Sequence, residues 1–152
     1  MPRRPKVLSP GRRTVVLAAI VTAGVGTSVL AQNQAPPGRS GLTQSNILRE
    51  AVARFPGTEA VMFNGDFAPG GKSGRHRHPG PEVLHVIEGH GVLMQDGRDP
   101  VQLAPGVTVY SEPPEDETSF IHEVRNLSQT APLRTFVVVL VEKGTPPSLP
   151  AD

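Results

Sequence analysis

Residues 70–89 read GGKSGRHRHPGPEVLHVIEG, and this stretch carries the strongest signal in the chain for both fold and chemistry. Side chains two residues apart in a strand point to the same side, so His76 and His78 can direct two imidazoles at one point. Glu82 adds a carboxylate after the bend that Pro79-Gly80-Pro81 predicts. Two neutral imidazoles and one carboxylate form a ligand set suited to iron, manganese, zinc, nickel or a similar divalent metal.

Two glycines frame these donors. Gly70 lies six residues before His76, and Gly89 lies seven residues after Glu82. Both glycines are expected at turns, where glycine adopts positive φ without a side-chain clash. The whole pattern, Gly70-x5-His76-x-His78-x3-Glu82-x6-Gly89, resembles the first motif of the cupin family.

A second block near the end of the chain extends the resemblance. His122 is the last of only five histidines, and Asn126 follows it after three intervening residues. This spacing is similar to the end of the second cupin motif, and the resemblance covers residues 58–143. It implies an all-β double-stranded β-helix, the cupin jelly-roll barrel, with one metal bound inside it. The ligands implied by the resemblance are His76, His78, Glu82 and His122.

The residues between 58 and 143 also favour a β structure on their own. Apolar and polar side chains alternate over several short stretches, as around Val61 and Phe63. Asp96-Gly97 is typical of a tight hairpin, and many short strands at close spacing indicate a sandwich or a barrel. Residues 47–55 fit either a helix with one apolar face or an extended arm, and we favour the arm.

Residues 1–31 differ from the rest of the chain. They carry five basic side chains and no acidic one, and they contain an apolar run that ends in Val29-Leu30-Ala31. This layout is typical of a secretory signal peptide, whereas the run is short and weakly apolar for a permanent membrane span. We expect cleavage near Ala31 and a periplasmic or secreted mature protein. Arg12-Arg13 leaves both Sec and twin-arginine export open.

The sequence therefore predicts five segments. A signal peptide (1–31) precedes a flexible linker (32–45), an N-terminal arm (46–57), the barrel (58–143) and an irregular tail (144–152). Loss of the leader leaves ten basic against fourteen acidic side chains, a net charge of −4. A mildly acidic domain without basic clusters is a poor partner for nucleic acid. The lack of cysteine excludes disulfides, thiolate metal sites and a cysteine nucleophile.

Several polar and aromatic residues near the motifs receive other assignments. Strand alternation directs His85 and Arg77 away from the metal, and His90 is expected in solvent at a strand end. Arg75 is expected to be solvated, with contact to an anionic ligand as the alternative. Tyr110 and Met94 are expected to pack in the core rather than to line the pocket.

Two functions from different classes remain open. The first is a metal-dependent enzyme, because four protein ligands on an octahedral ion would leave two positions for substrate or water. Cupins with this ligand set include dioxygenases and isomerases, and the resemblance does not choose between them. The second is a non-catalytic small-molecule or metal-binding module of the cell envelope. The sequence does not identify a catalytic residue for either function. For both functions, the resemblance to the family suggests a homodimer.

Overall fold

The computed structural model describes residues 35–113 and 120–151, and within them every regular element except a single 3₁₀ residue is a β-strand. The signal-peptide prediction for residues 1–31 lies outside the described residues, and so does the acidic run 115–117. No helix in the described part of the chain has the length and apolar character needed to cross a membrane. The strands are β1 (Ser40–Ala51), β2 (Thr58–Lys72), β3 (His76–Arg77), β4 (Glu82–Glu88), β5 (Gly91–Gln95), β6 (Val101–Leu103), β7 (Thr108–Ser111), β8 (His122–Asn126), β9 (Leu133–Glu142) and β10 (Leu149–Pro150).

The strands form one continuous sheet that curls into two layers. One layer has the order β1-β2-β9-β4-β7, and the other has the order β10-β3-β8-β5-β6. The layers join where the end of β2 meets β8, at the antiparallel pair Lys72 and Arg125. All of the strand pairs are antiparallel. The prediction of an all-β double-stranded β-helix is confirmed.

The core lies between the two layers and follows from alternation along the strands. In β9 every second residue from Leu133 to Val141 is buried, because successive side chains in a strand point to opposite faces. β2 contributes Val61, Phe63 and Phe67 to the same core, and β4 contributes Leu84 and Val86. This apolar filling holds the two layers face to face.

The segment boundaries differ from the sequence prediction at both ends of the barrel. β1 begins at Ser40, so residues 40–45 belong to a strand and not to the flexible linker predicted for 32–45. The predicted arm is extended, as favoured, and pairs with β2 of its own barrel. The tail predicted to be irregular contains β10, which pairs with β3. Such short or exposed strands form because a neighbouring strand offers unpaired backbone groups, a signal that local composition does not carry.

Candidate metal centre

Two short strands bring the histidines together. His76 in β3 and His122 in β8 are directly opposed Cα partners in an antiparallel pair. Directly opposite residues project to the same face of the sheet, so both imidazoles enter the barrel side by side. His78 lies two residues after His76 and projects to the same side, as the sequence predicts. All three histidines are buried.

The bend between β3 and β4 positions Glu82. Gly80 is buried against β9, where a Cβ atom at this position would lie 1.9 Å from the carbonyl oxygen of Leu140. The Leu140 amide in turn donates to the Pro81 carbonyl at 3.0 Å. This close packing fixes the bend, and Glu82 follows as the first residue of β4 with its side chain inside the barrel. Gly70 and Gly89 have φ values of 69° and 85°, so the predicted positive φ is confirmed for both. Gly89 lies in the bend after β4, whereas Gly70 lies within β2 and not at a turn.

The three imidazoles meet inside the barrel, and the Glu82 carboxylate lies beside two of them. The ligating nitrogens of His76, His78 and His122 all lie within 4.8 Å of one another. Glu82 Oε1 lies 3.3 Å from Nε2 of His78, and Oε2 lies 3.9 Å from Nε2 of His122. The second cupin motif usually has proline and glycine at the positions that Glu117 and Ser119 occupy here. Both residues lie outside the described residues, and His122 nevertheless joins the cluster.

Backbone carbonyl groups orient the imidazoles. His76 Nδ1 donates to the carbonyl oxygen of Gly74 at 2.9 Å, and His78 Nδ1 donates to that of Pro147. His122 is hydrogen-bonded to the backbone of Phe120. A histidine that donates through Nδ1 carries no proton on Nε2 in its neutral form, which leaves that nitrogen for a metal. Pro147 in the C-terminal segment thus supports a residue 69 positions earlier, and sequence reasoning gave no sign of this contact.

Burial and mutual charge set the protonation states of the cluster. Burial lowers the pKa of His76 well below its usual 6.5 and lowers that of His122 to about 4. Burial also acts against the charged form of His78, but the Glu82 carboxylate outweighs it and raises the pKa of His78. The same histidines overcome the burial of Glu82 and lower its pKa to about 2. Near neutral pH the cluster therefore holds an ionised Glu82 and two neutral imidazoles, and Glu82 favours the charged form of His78.

These residues fit a divalent metal ion. Nitrogen and oxygen ligands bind such ions at about 2.0–2.2 Å, so two ligands on opposite sides of one ion lie about 4 Å apart. The three imidazole nitrogens all lie within 4.8 Å of one another, close enough for one ion between them to contact all three. A buried carboxylate is costly unless a cation or strong donors face it, and a metal would satisfy that need. The three histidines can hold a metal ion, and the identity of that ion is open.

The cavity around the cluster is small and mostly apolar. Its volume is about 30 Å³, enough for an ion or a single water molecule. Apart from the four clustered side chains, its described lining offers only Gln44, Ser73 and Thr135 as polar side chains. Sequence reasoning missed all three, because they lie in β1, directly after β2 and in β9, away from the histidine motif in the sequence. Within this lining Glu82 is the only carboxylate.

The remaining histidines and Arg77 lie away from the centre. His85 is half-buried and hydrogen-bonds through Nδ1 to the hydroxyl of Thr108 at 2.8 Å. His90 is exposed just before β5. Arg77 is half-buried in β3, between His76 and His78, and does not line the cavity around the cluster. His85 thus points away from the metal cavity, as strand alternation predicts. His90 is exposed, as its place at a strand end predicts.

Arg75 is exposed, as expected, and its guanidinium forms a two-pronged ion pair with Asp96 at 2.7 and 3.0 Å. Two other assignments are corrected. Tyr110 and Met94 are 60% and 39% exposed rather than packed in the core. Both side chains lie on the outer face of short strands. Such a strand alternates between inner and outer side chains, so an error of one residue in the expected register assigns an outer side chain to the core.

The fold and the buried cluster together define a class of small β-barrel proteins with a histidine- and carboxylate-lined interior. The comparison with family models narrows the class, because the model described as cupin domain matches residues 64–139. The chain belongs to the cupin family. The comparison with curated proteins found no match.

Two solved structures illustrate the likeness. The chain is similar to the polyketide cyclase RemF from Streptomyces resistomycificus, with 19% identity, a TM-score of 0.56, and coverage of 77% of this chain and 75% of that one. It is also similar to an uncharacterized conserved protein with a double-stranded β-helix domain from Klebsiella pneumoniae. That match has 20% identity, a TM-score of 0.51, and coverage of 76% and 90% respectively. Identities this low support the shared fold alone.

Proposed function

We propose that the protein is an exported cupin that binds one divalent metal through His76, His78, Glu82 and His122 and acts on a small molecule as a metalloenzyme of the oxygenase or isomerase type. One observation carries the proposal: one short segment, residues 76–82, and strand β8 bring three buried imidazoles and one buried carboxylate together inside the barrel. Histidines that cluster by chance on a surface remain exposed, whereas these three imidazoles are buried together with a carboxylate. When bound, the metal would supply a Lewis-acid centre with positions open to a small ligand.

The chain's own residues would hold and orient this centre. Glu82 is ionised near neutral pH, because its pKa is lowered to about 2, and it supplies the only negative charge in the described lining of the cavity. The Gly74 and Pro147 carbonyls fix the rings of His76 and His78. The apolar walls, which include Phe67 and Val137, exclude bulk water and strengthen the charge interactions inside.

Elemental analysis of protein purified without chelator tests the metal assignment. We expect one divalent ion per chain in the wild type and no bound ion in His76→Ala or His78→Ala, since each change removes a ligand. Arg77→Ala is the matched control, because Arg77 lies between the two histidines and does not line the cavity around the cluster. It should keep its metal. Full occupancy in His76→Ala would refute the ligand assignment.

A non-catalytic small-molecule or metal-binding envelope module is the second candidate. It is favoured by the described cavity lining, which offers no acid or base besides the four proposed ligands. The identity of the metal separates the two functions in part, since iron or manganese would favour an enzyme and zinc would leave both open. Turnover of a bound small molecule by the metal-loaded protein, absent from His76→Ala, would decide for the enzyme.

We also propose a homodimer that pairs through the outer face of the layer containing β9. Across that face Met62, Val138, Val83 and Tyr110 form one row of strand partners, and Leu48 extends the row as the partner of Met62. Val83, Leu48 and Tyr110 are 37%, 42% and 60% exposed. These side chains form a continuous, largely apolar row across five strands, and a two-fold pairing would cover it.

A further inference from the structure

A second, larger cavity lies directly outside the metal cavity. It has a volume of about 350 Å³, within the range of small-molecule sites, and we call it the vestibule. Gln44 and Phe63 line both cavities, so the two are neighbours that share a wall. Pro147, whose carbonyl orients His78, also lines the vestibule. A molecule too large for the 30 Å³ around the metal would therefore have its body in the vestibule.

Among the residues that the structure describes, the lining of the vestibule is cationic and contains no carboxylate. Its charged members are Arg39 and Arg49, and the other described side chains there are neutral, among them Asn46 and Val61. The charge of Arg49 is neutralised within the protein, because its guanidinium forms an ion pair with Glu59 at 2.7 Å. The same group donates to the Thr145 carbonyl at 2.6 Å. That pair cancels one of the two positive charges. The vestibule is left with the charge of Arg39.

Arg39 retains donors for a ligand. Its guanidinium donates to the side-chain oxygen of Gln44 at 3.0 Å and to the Leu42 carbonyl at 3.2 Å, and no ion pair to it is formed within residues 35–113 and 120–151. A guanidinium has five N–H donors in a fixed plane, so donors remain after these two bonds. The two neutral acceptors hold the group in place without neutralising it. A planar cation of this kind is suited to a carboxylate, which it can bind through two parallel hydrogen bonds.

We propose that the vestibule binds a small monocarboxylic acid as its anion, with the carboxylate on Arg39 and the rest of the molecule directed past Gln44 toward the metal cavity. A monoanion matches the single uncompensated charge, and the side chains of Val61 and Phe63 offer contact to an apolar body. The direction toward the metal rests on the proposed function. The carboxylate subsite itself uses none of the four proposed metal ligands.

Calorimetric titration of the metal-loaded protein with benzoate tests the proposal, with benzamide as a neutral probe of nearly the same shape. We expect benzoate to bind at least about tenfold more tightly than benzamide, as one charge-assisted contact typically provides. Arg39→Gln should weaken benzoate by at least about tenfold and leave benzamide unchanged. Arg54→Gln removes the same charge from an exposed turn outside the vestibule and should have no effect.

A second variant keeps Arg39 in place. Gln44→Glu puts a carboxylate where the amide oxygen now accepts from Arg39 at 3.0 Å, so it should neutralise the guanidinium and abolish benzoate binding without loss of the arginine. Arg39→Lys should recover part of the affinity that Arg39→Gln loses. Equal benzoate affinity in the wild type, Arg39→Gln and Gln44→Glu would overturn the proposal, and so would the absence of benzoate binding to the wild type.

Metal-free His76→Ala separates this proposal from the proposed function. Benzoate binding that depends on Arg39 and survives in His76→Ala would support the carboxylate subsite whether or not the protein is a metalloenzyme. Benzoate binding that disappears in His76→Ala but is indifferent to Arg39→Gln would place the anion on the metal and overturn the subsite. Failure of the wild type to bind metal, with Arg39-dependent benzoate binding intact, would sink the proposed function alone.

Discussion

Acid sensitivity of the metal-free protein should depend on His122. Burial lowers the pKa of this imidazole from 6.5 to about 4 in the folded protein. At pH values between about 4 and 6.5, His122 is therefore protonated in the unfolded chain to a greater extent than in the folded protein. This lowers the free energy of unfolding as pH falls from 6.5 to 4, whereas above pH 6.5 the residue has no such effect. A shift of this size corresponds to about 3 kcal/mol.

His122→Gln removes the titrating group and keeps a polar side chain in the same place. Urea unfolding with chelator present, at pH 7 and at pH 4, measures the effect. The wild type should lose about 3 kcal/mol more than His122→Gln between these two pH values, a large part of the stability of a small domain. Groups away from the cluster titrate alike in both proteins, so the difference between the two losses reports His122 together with its charge coupling to Glu82.

His85→Gln serves as the matched control. The change is chemically the same, but His85 is half-buried on the outer face beside Thr108. This variant should show the wild-type loss of stability in acid. If the wild type and His122→Gln lost the same amount between pH 7 and pH 4, His122 would not be held neutral by burial, and the geometry of the cluster would be wrong.

Two further predictions concern the ends and the outer surface of the chain. Protein recovered from the cell envelope should begin near Gln32, and N-terminal sequencing that finds Met1 on cytoplasmic protein would contradict export. Light scattering at micromolar concentration should give a dimer for the wild type and a monomer for Val138→Lys, because Val138 lies in the middle of the exposed apolar row. A monomeric wild type would exclude the proposed pairing.

The first motif could be found from the sequence because its geometry is local. His78 lies two residues after His76 in extended backbone and projects to the same side, and the bend at Gly80 brings Glu82 back within four residues of His78. His122 is 46 residues from His76, and only the pairing of β3 with β8 makes them neighbours. Its assignment from the sequence therefore needed the family resemblance, and the structure places it opposite His76.

The vestibule could not be found in the same way. Arg39 lies in a stretch interpreted as flexible linker, and Gln44 in the same stretch becomes a cavity wall only when β1 pairs with β2. Tyr110 and Met94 were assigned to the core because they are apolar residues in short strands, where composition does not show which side faces in. Long-range pairing decides all four positions, and local sequence patterns do not encode it.

The last prediction concerns the number of protons that metal binding releases, which depends on the charge state of the cluster. Three imidazoles with ordinary pKa values near 6.5 would together release about two protons at pH 6. Here His76 and His122 are already neutral at that pH because burial lowers the pKa of each, and Glu82 is already ionised. His78 alone carries a proton to lose, because Glu82 raises its pKa.

Binding of zinc at pH 6 should therefore release close to one proton per ion, and the release should decline as pH rises above the raised pKa of His78. Calorimetric titrations in two buffers of different ionisation enthalpy measure this number directly. Glu82→Gln removes the carboxylate that keeps His78 protonated, so the release at pH 6 should fall in this variant wherever it still binds zinc. A release of two or more protons from the wild type would show that burial does not keep His76 and His122 neutral.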